Sequence, residues 1–171
     1  MSCQPLILTL ALEHTAQKYF EDLRKRYFPP ERNFIPAHIT LFHQLPANGL
    51  TAISAQLAST TAIPVFPVSI TGLRSLGRGV AFQFESPTLI TLHGRLAQVF
   101  ATWLTPQDRQ GFRPHIVVQN KVDAPTARRT LNELSATFTP FSTQATALFL
   151  WRYHGGPWQH LSEFPFAALK S

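Results

Sequence analysis

The apolar positions of this chain switch between two periods, and the switching divides it into short strands and amphipathic helices. Pro5 to Leu12 is a run of Leu and Ile that predicts a buried strand. From Glu13 to Tyr27 the residues Ala16, Tyr19, Phe20, Leu23 and Tyr27 recur at three- and four-residue steps, which predicts a helix. Pro29-Pro30 stops that helix, since proline has no N–H to continue it. His38–Leu45 then reads as a strand, Ala47–Thr61 (Leu50, Ile53, Leu57, Ala58) as a helix and Val65–Leu73 as a strand. After a Gly77-Arg78-Gly79 turn the same order returns. It runs strand Val80–Glu85, helix Thr88–Leu104, a second strand led by His115, helix Ala124–Phe138 and strand Thr143–Tyr153.

The chain therefore reads twice, with each histidine-led strand at nearly the same distance from the first strand of its half. The repeat lies in order and spacing, not in residue identity, so it points to an old duplication. Length agrees with one compact unit: 171 residues fit a single domain or two small fused lobes. The 44% hydrophobic content can fill a core.

Composition narrows the partners. A formal charge of +6 favours an anionic one, and the basic residues are scattered (Arg24-Lys25-Arg26, Arg74, Arg78, Arg113, Lys121, Arg128-Arg129), so a charged groove or surface is expected instead of a basic tail. The one cysteine, Cys3, cannot make an intrachain disulfide or a cysteine metal cluster, which suits a reducing compartment. Leu6 to Leu12 is too short, and too directly followed by Glu13-His14, to read as a signal peptide. No stretch reaches the roughly 18–20 apolar residues of a membrane span. A cytoplasmic monomer is expected. The glycines form no phosphate loop, and the histidines and cysteine fall into no metal-ligand spacing, so neither cofactor nor metal is expected.

The chemistry concentrates in His38-Ile39-Thr40-Leu41 and His115-Ile116-Val117-Val118. Strand side chains alternate between faces, so His38, Thr40 and Phe42 should share one face, and His115, Val117 and Gln119 the corresponding one. Two imidazoles facing one groove make an acid/base pair, because a group with pKa near 6.5 can serve either role near neutrality. Arg113 is a candidate phosphate contact, though Pro114 leaves its direction open. Phe42 is placed either to stack on a base or to pack in the core. By the same alternation His43 should face away from the site. His14 and His93 fall within helices, as surface or packing residues, and His154 and His160 flank a Gly-Gly-Pro turn.

Two His-x-Thr-x-like segments half a chain apart resemble the signature of the 2H phosphoesterase superfamily, which includes 2′-5′ RNA ligases and 2′,3′-cyclic nucleotide phosphodiesterases. The stretch from Phe112 to Lys121 and the segment Trp151-Arg152-Tyr153-His154-Gly155-Gly156-Pro157-Trp158 are similar to a bacterial branch of it. The resemblance implies an α+β, bilobal fold: two pseudo-symmetric lobes, each with an antiparallel sheet and outer helices, built roughly from 1–76 and 77–171 with strands open to exchange, and an active groove between the sheets. It implies His38 and His115 as catalytic residues and Thr40 as a phosphate-binding one. Val117 stands where the family has Thr or Ser. The expected activity is hydrolysis of a 2′,3′-cyclic phosphate or 2′-5′ linkage of an RNA end or nucleotide, reversible as ligation. The alternative is an RNA- or nucleotide-binding module whose catalysis was weakened at Val117.

Overall fold

The computed structural model describes residues 4–169, so Cys3 lies outside it. Seven strands alternate with helices: β1 (Leu6–Leu12), α1 (His14–Tyr27), β2 (Ile39–Leu45), α2 (Leu50–Thr60), β3 (Phe66–Ser75), β4 (Val80–Glu85), α3 (Pro87–Val99), α4 (Pro106–Arg109), β5 (His115–Gln119), α5 (Ala124–Thr137), β6 (Phe141–Tyr153) and β7 (Trp158–Pro165). The fold is α+β. The strands form one curled antiparallel sheet in the order β2-β1-β6-β3-β4-β5. β7 pairs with β6, beyond the stretch of β6 that β3 occupies. The expected lobes, 1–76 and 77–171 with strands open to exchange, hold β1 to β3 and β4 to β7; in the sheet β6 pairs with β1 and β3 with β4, and one ladder runs through the β6–β3 pair.

Exchanging β1 with β4, β2 with β5 and β3 with β6 maps this order onto itself, so the two histidine strands are related by a twofold exchange and occupy its two edges. β2 also lies against β5, so the curl returns the edges to one another. The helices cross over in the same sense. α1 follows β1 but packs on β5, while α3 follows β4 but reaches β2 through His93.

The residues of α1 explain that crossing. Ala16, Phe20 and Arg24 are its buried positions, four apart and therefore on one face. Phe20 is fully buried, with ring centroids 5.3 Å from Phe82 and 5.5 Å from Phe84 of β4. Phe141 of β6 stacks at 6.3 Å. One turn on, the Arg24 guanidinium donates to the Val117 carbonyl of β5 at 2.7 Å and to Asn33 at 3.1 Å, and lies 4.1 Å over the Phe28 ring. A buried cation is tolerated because these groups replace its water.

Two elements escaped the hydrophobic pattern. α4 has four residues, too few to show a period, and β7 mixes polar and apolar residues because much of it is exposed. The helix expected over Thr88–Leu104 ends at Val99 and is followed by a 3₁₀ turn at Ala101–Trp103. Among the described residues no helix is long and apolar enough to cross a membrane.

Phe20→Ala should cost about 3–5 kcal/mol, the range for emptying a fully buried aromatic site. Urea unfolding monitored by circular dichroism would measure it. A loss under about 1 kcal/mol would show that the α1 crossing is not held by this aromatic cluster.

Candidate active site

The site is built at the starts of β2 and β5, where the two halves present the same local device. His38 Nδ1 donates to the carbonyl of Pro36 at 2.7 Å, and His115 Nδ1 donates to the carbonyl of Arg113 at 2.8 Å. In each case the acceptor lies two residues upstream on an extended, proline-flanked backbone. The bond fixes the ring and its tautomer, leaving Nε2 as the free nitrogen of both imidazoles. Each strand then carries an extra residue three positions after its histidine. Thr40 pairs with Thr9 and Phe42 with Leu8, so Leu41 is inserted; Val117 pairs with Ala81 and Gln119 with Val80, so Val118 is inserted. Such bulges break the alternation of faces.

The bulge in β2 overturns two expectations. Phe42 has no exposed surface: it stacks on His93 at 4.6 Å and 8° and meets Phe100 edge-on, so no face remains for a base. It belongs to the core. His43 is carried to the site side, where it lines a cavity of about 310 Å³ with Thr40, Arg74, Asp108, Arg113 and His115. In β5 the matching bulge buries Gln119, whose Nε2 donates to Thr130 at 2.8 Å. His38 borders a different cavity, of about 400 Å³, with Thr9, Gln17, Glu21, Phe149 and Trp151. Trp158 lies against the His38 ring, 4.8 Å between centroids, and Trp151 donates from Nε1 to Thr9 at 2.9 Å. Thr40 and Val117 are half-buried, and Val117 borders neither cavity.

Sequence reasoning missed Asp108, Arg74 and the position of His43. Asp108 comes from α4 and is almost wholly buried. Its carboxylate accepts the backbone N–H groups of His43 at 2.9 Å and Gln44 at 3.0 Å, and the His43 Nδ1–H at 2.9 Å. The loop that carries it is clamped by a stack of three rings, Phe42, His93 and Phe112, with His93 and Phe112 only 4.0 Å apart and nearly parallel. His93 Nε2 donates to the Leu41 carbonyl at 3.2 Å, which ties α3 to the bulge.

The electrostatics follow from burial in a cationic surround. Burial pushes the His38 imidazole down to about 4; the Pro36 carbonyl opposes this, and the charges of Arg24, His43 and His115 add to it. The ring nevertheless keeps partial exposure, as expected at the floor of a cleft walled by protein but open to a ligand. Burial also lowers His115, opposed by the Arg113 carbonyl and assisted by Arg74 and His43. Asp108 is lowered despite burial, which acts to raise it, because the hydrogen bonds from His43 and Gln44 favour the carboxylate. Among the described residues no group of three or more His, Cys, Asp or Glu is arranged to hold a metal ion.

A family model described as the 2′-5′ RNA ligase superfamily matches residues 12–157. Solved structures share the fold over nearly the whole chain. E. coli LigT complexed with 3′-AMP has a TM-score of 0.65 at 22% identity, covering 97% of this chain and 99% of that one. TT0787 of Thermus thermophilus has a TM-score of 0.67 at 16% identity, covering 97% and 100%. A structure described as a phosphoesterase has a TM-score of 0.62 at 20% identity, covering 97% and 99%. No curated protein matches the sequence.

The depressed histidines fix the sign of the pH dependence of stability. His38 titrates near 6.5 when unfolded and near 4 when folded, so between these values the unfolded chain binds more protons. Its contribution is complete above about 6.5 and is lost as pH falls towards 4. His38→Asn should therefore lose less stability than the wild type between pH 7 and pH 4.5. Urea midpoints across that range would measure this, and parallel losses in the two proteins would show that His38 is not depressed.

Proposed function

The chain belongs to the 2′-5′ RNA ligase superfamily, and on that premise we propose that it is a metal-independent phosphoesterase working through His38 and His115. The substrate class is a 2′,3′-cyclic phosphate or a 2′-5′ linkage at an RNA end or in a nucleotide. The observation that carries this reading is the matched pair of Nδ1–H bonds to the carbonyls of Pro36 and Arg113, which leaves two Nε2 atoms as free acid/base groups on strands brought together by the curl.

His38, the more strongly depressed, is the base. Its neutral Nε2 accepts a proton from water as the water oxygen bonds to phosphorus. The bond from phosphorus to one ribose oxygen breaks, and His115 delivers a proton to that oxygen. Burial lowers His115 and the charges of Arg74 and His43 add to it; it acquires its proton when the substrate's negative charge enters the site and favours the charged ring. Ring opening thus yields a phosphate monoester and a free hydroxyl, and with the hydroxyl of a second RNA end in place of water the same steps yield a joined phosphodiester and a free ribose hydroxyl. Arg74 and Arg113 line the cavity beside His115 and supply charge for the phosphate. Thr40, two residues after His38, supplies a hydroxyl donor. The aromatic wall of Trp151, Trp158 and Phe149 beside His38 suits a nucleobase, since base–aromatic stacking contributes about 1–3 kcal/mol.

Val117 favours a second reading, a binding module in which catalysis has decayed, because it has no hydroxyl to offer a phosphate oxygen. The two readings differ in turnover, not in binding.

Turnover of an oligonucleotide ending in a 2′,3′-cyclic phosphate, with EDTA present, decides between them. His38→Ala and His115→Ala should each lower the rate by about 10²–10⁴. With a phosphodiester whose leaving group is p-nitrophenolate, which needs no proton, His115→Ala should recover most of its activity and His38→Ala should not. Recovery in His38→Ala instead would exchange the two roles, and a wild type that binds without turnover would favour the module.

A further inference from the structure

We propose that His43, oriented by Asp108, is a third imidazole of the site, binding a non-bridging oxygen of the phosphoryl group. The inference rests on the reading that the groove takes a phosphodiester. Four observations support it.

First, the bulge at Leu41 takes His43 off the core face and onto the wall of the cavity shared by Thr40, Arg74, Arg113 and His115. Second, its orientation is built, not incidental. Asp108 Oδ1 accepts from Nδ1 at 2.9 Å while the same carboxylate takes the His43 and Gln44 backbone N–H groups, so ring and strand are held by one buried side chain. The Asp108 side chain is 1% exposed and that of His43 is 43% exposed, which leaves Nε2 as the ring nitrogen available to a ligand. Third, the surroundings select an anion. Arg74 of β3, Arg113 before β5 and His115 line the same cavity, and Asp108, among the described residues the one carboxylate lining it, is already committed to His43 and the β2 backbone. A ring with a carboxylate on one nitrogen presents a charged N–H donor on the other when an anion arrives.

Fourth, the two halves of the molecule are unequal where it matters. The residue five after His38 is His43; the residue five after His115 is Asn120, whose side chain accepts from the Lys121 backbone in a local turn. Val117 likewise lacks the hydroxyl that Thr40 carries in the other half. The half led by His38 therefore brings to the cavity a donor, His43, for which the other half has no counterpart. His43 is an additional donor that the β2 half brings to the cavity, and Asp108 is a positioning residue that acts through it.

The test compares wild type, His43→Gln, Val117→Thr and the double variant in two assays: calorimetric titration with inorganic phosphate, and turnover of the cyclic-phosphate oligonucleotide. His43→Gln should weaken phosphate binding roughly tenfold to hundredfold, the value of a hydrogen bond to a charged group, with its thermal midpoint nearly unchanged. In the Val117→Thr background the same change should cost about as much, because Val117 borders neither cavity. Spectra of the wild type labelled at histidine should show the His43 ring shifting with His38 and His115 as phosphate is added, a readout that needs no variant to fold. Unchanged phosphate affinity in a folded His43→Gln, or a His43 resonance that ignores phosphate, would overturn the proposal and leave the pair as a staple between α4 and β2. If the wild type turns over and His43→Gln is its equal, the phosphoesterase reading stands and this one falls. If the wild type binds phosphate through His43 without turnover, this one stands and the catalytic reading falls. A wild type that neither binds phosphate nor turns over defeats both.

Discussion

Everything at the site depends on α1 crossing from the strand that precedes it to the opposite end of the sheet. Phe20 and Arg24 are one turn apart on the same face, and they do two different jobs there. Phe20 supplies non-directional burial against β4. Arg24 supplies a directional bond to one carbonyl of β5, at the residue two after His115. Without that crossing, β2 and β5 would be the two free edges of a sheet and their histidines would sit at opposite margins. The crossing also explains a buried arginine with no carboxylate bonded to it: its partners are a carbonyl, an amide and a ring, so it retains its positive field towards His38.

The architecture was legible in the sequence because it depends on period. The helix faces of α1, α2, α3 and α5 and the apolar runs of β1, β4 and β6 follow from counting, and the doubled order follows from comparing the counts. The placement of side chains at the site was only half legible. His38, Thr40 and His115 lie before the bulges; Thr40 and His115 line one cavity and His38 borders another. Phe42 and His43 lie after the bulge at Leu41, and alternation assigns each of them the wrong face. A bulge has no composition of its own here; Leu41 and Val118 are ordinary strand residues. The bulges show only in the strand pairing, where they fall at matching places of the two halves.

Asp108 and Arg74 were invisible for a different reason. Neither carries a periodic signal, and their value comes from neighbours distant in sequence: Asp108 meets His43 and Gln44, and Arg74 lies near His115. The loop carrying Asp108 is held by the Phe42–His93–Phe112 stack, with residues from β2, from α3 and from the approach to β5. That stack is also why Phe42 cannot serve a ligand. A residue that fixes the loop between two halves is more useful inside than on the wall, and His93, read from sequence as a packing or surface residue of a helix, is its central ring.

On the proposed reading, the empty site and the occupied site differ in protonation as well as in contents. Burial lowers His38 and His115, and the charges of Arg24 and Arg74 add to it, so both imidazoles rest neutral near pH 7. Two neutral imidazoles can supply a base but no acid. An incoming phosphodiester carries the negative charge that the site lacks, and the cationic field that adds to the effect of burial then attracts it. The proton required for the leaving oxygen is taken up as a consequence of binding, by the histidine less deeply depressed. A buried, cationic groove with lowered imidazoles is therefore not an obstacle to acid catalysis. It reserves the acid form for the state in which an anion is present, and it keeps His38 deprotonated through the same event.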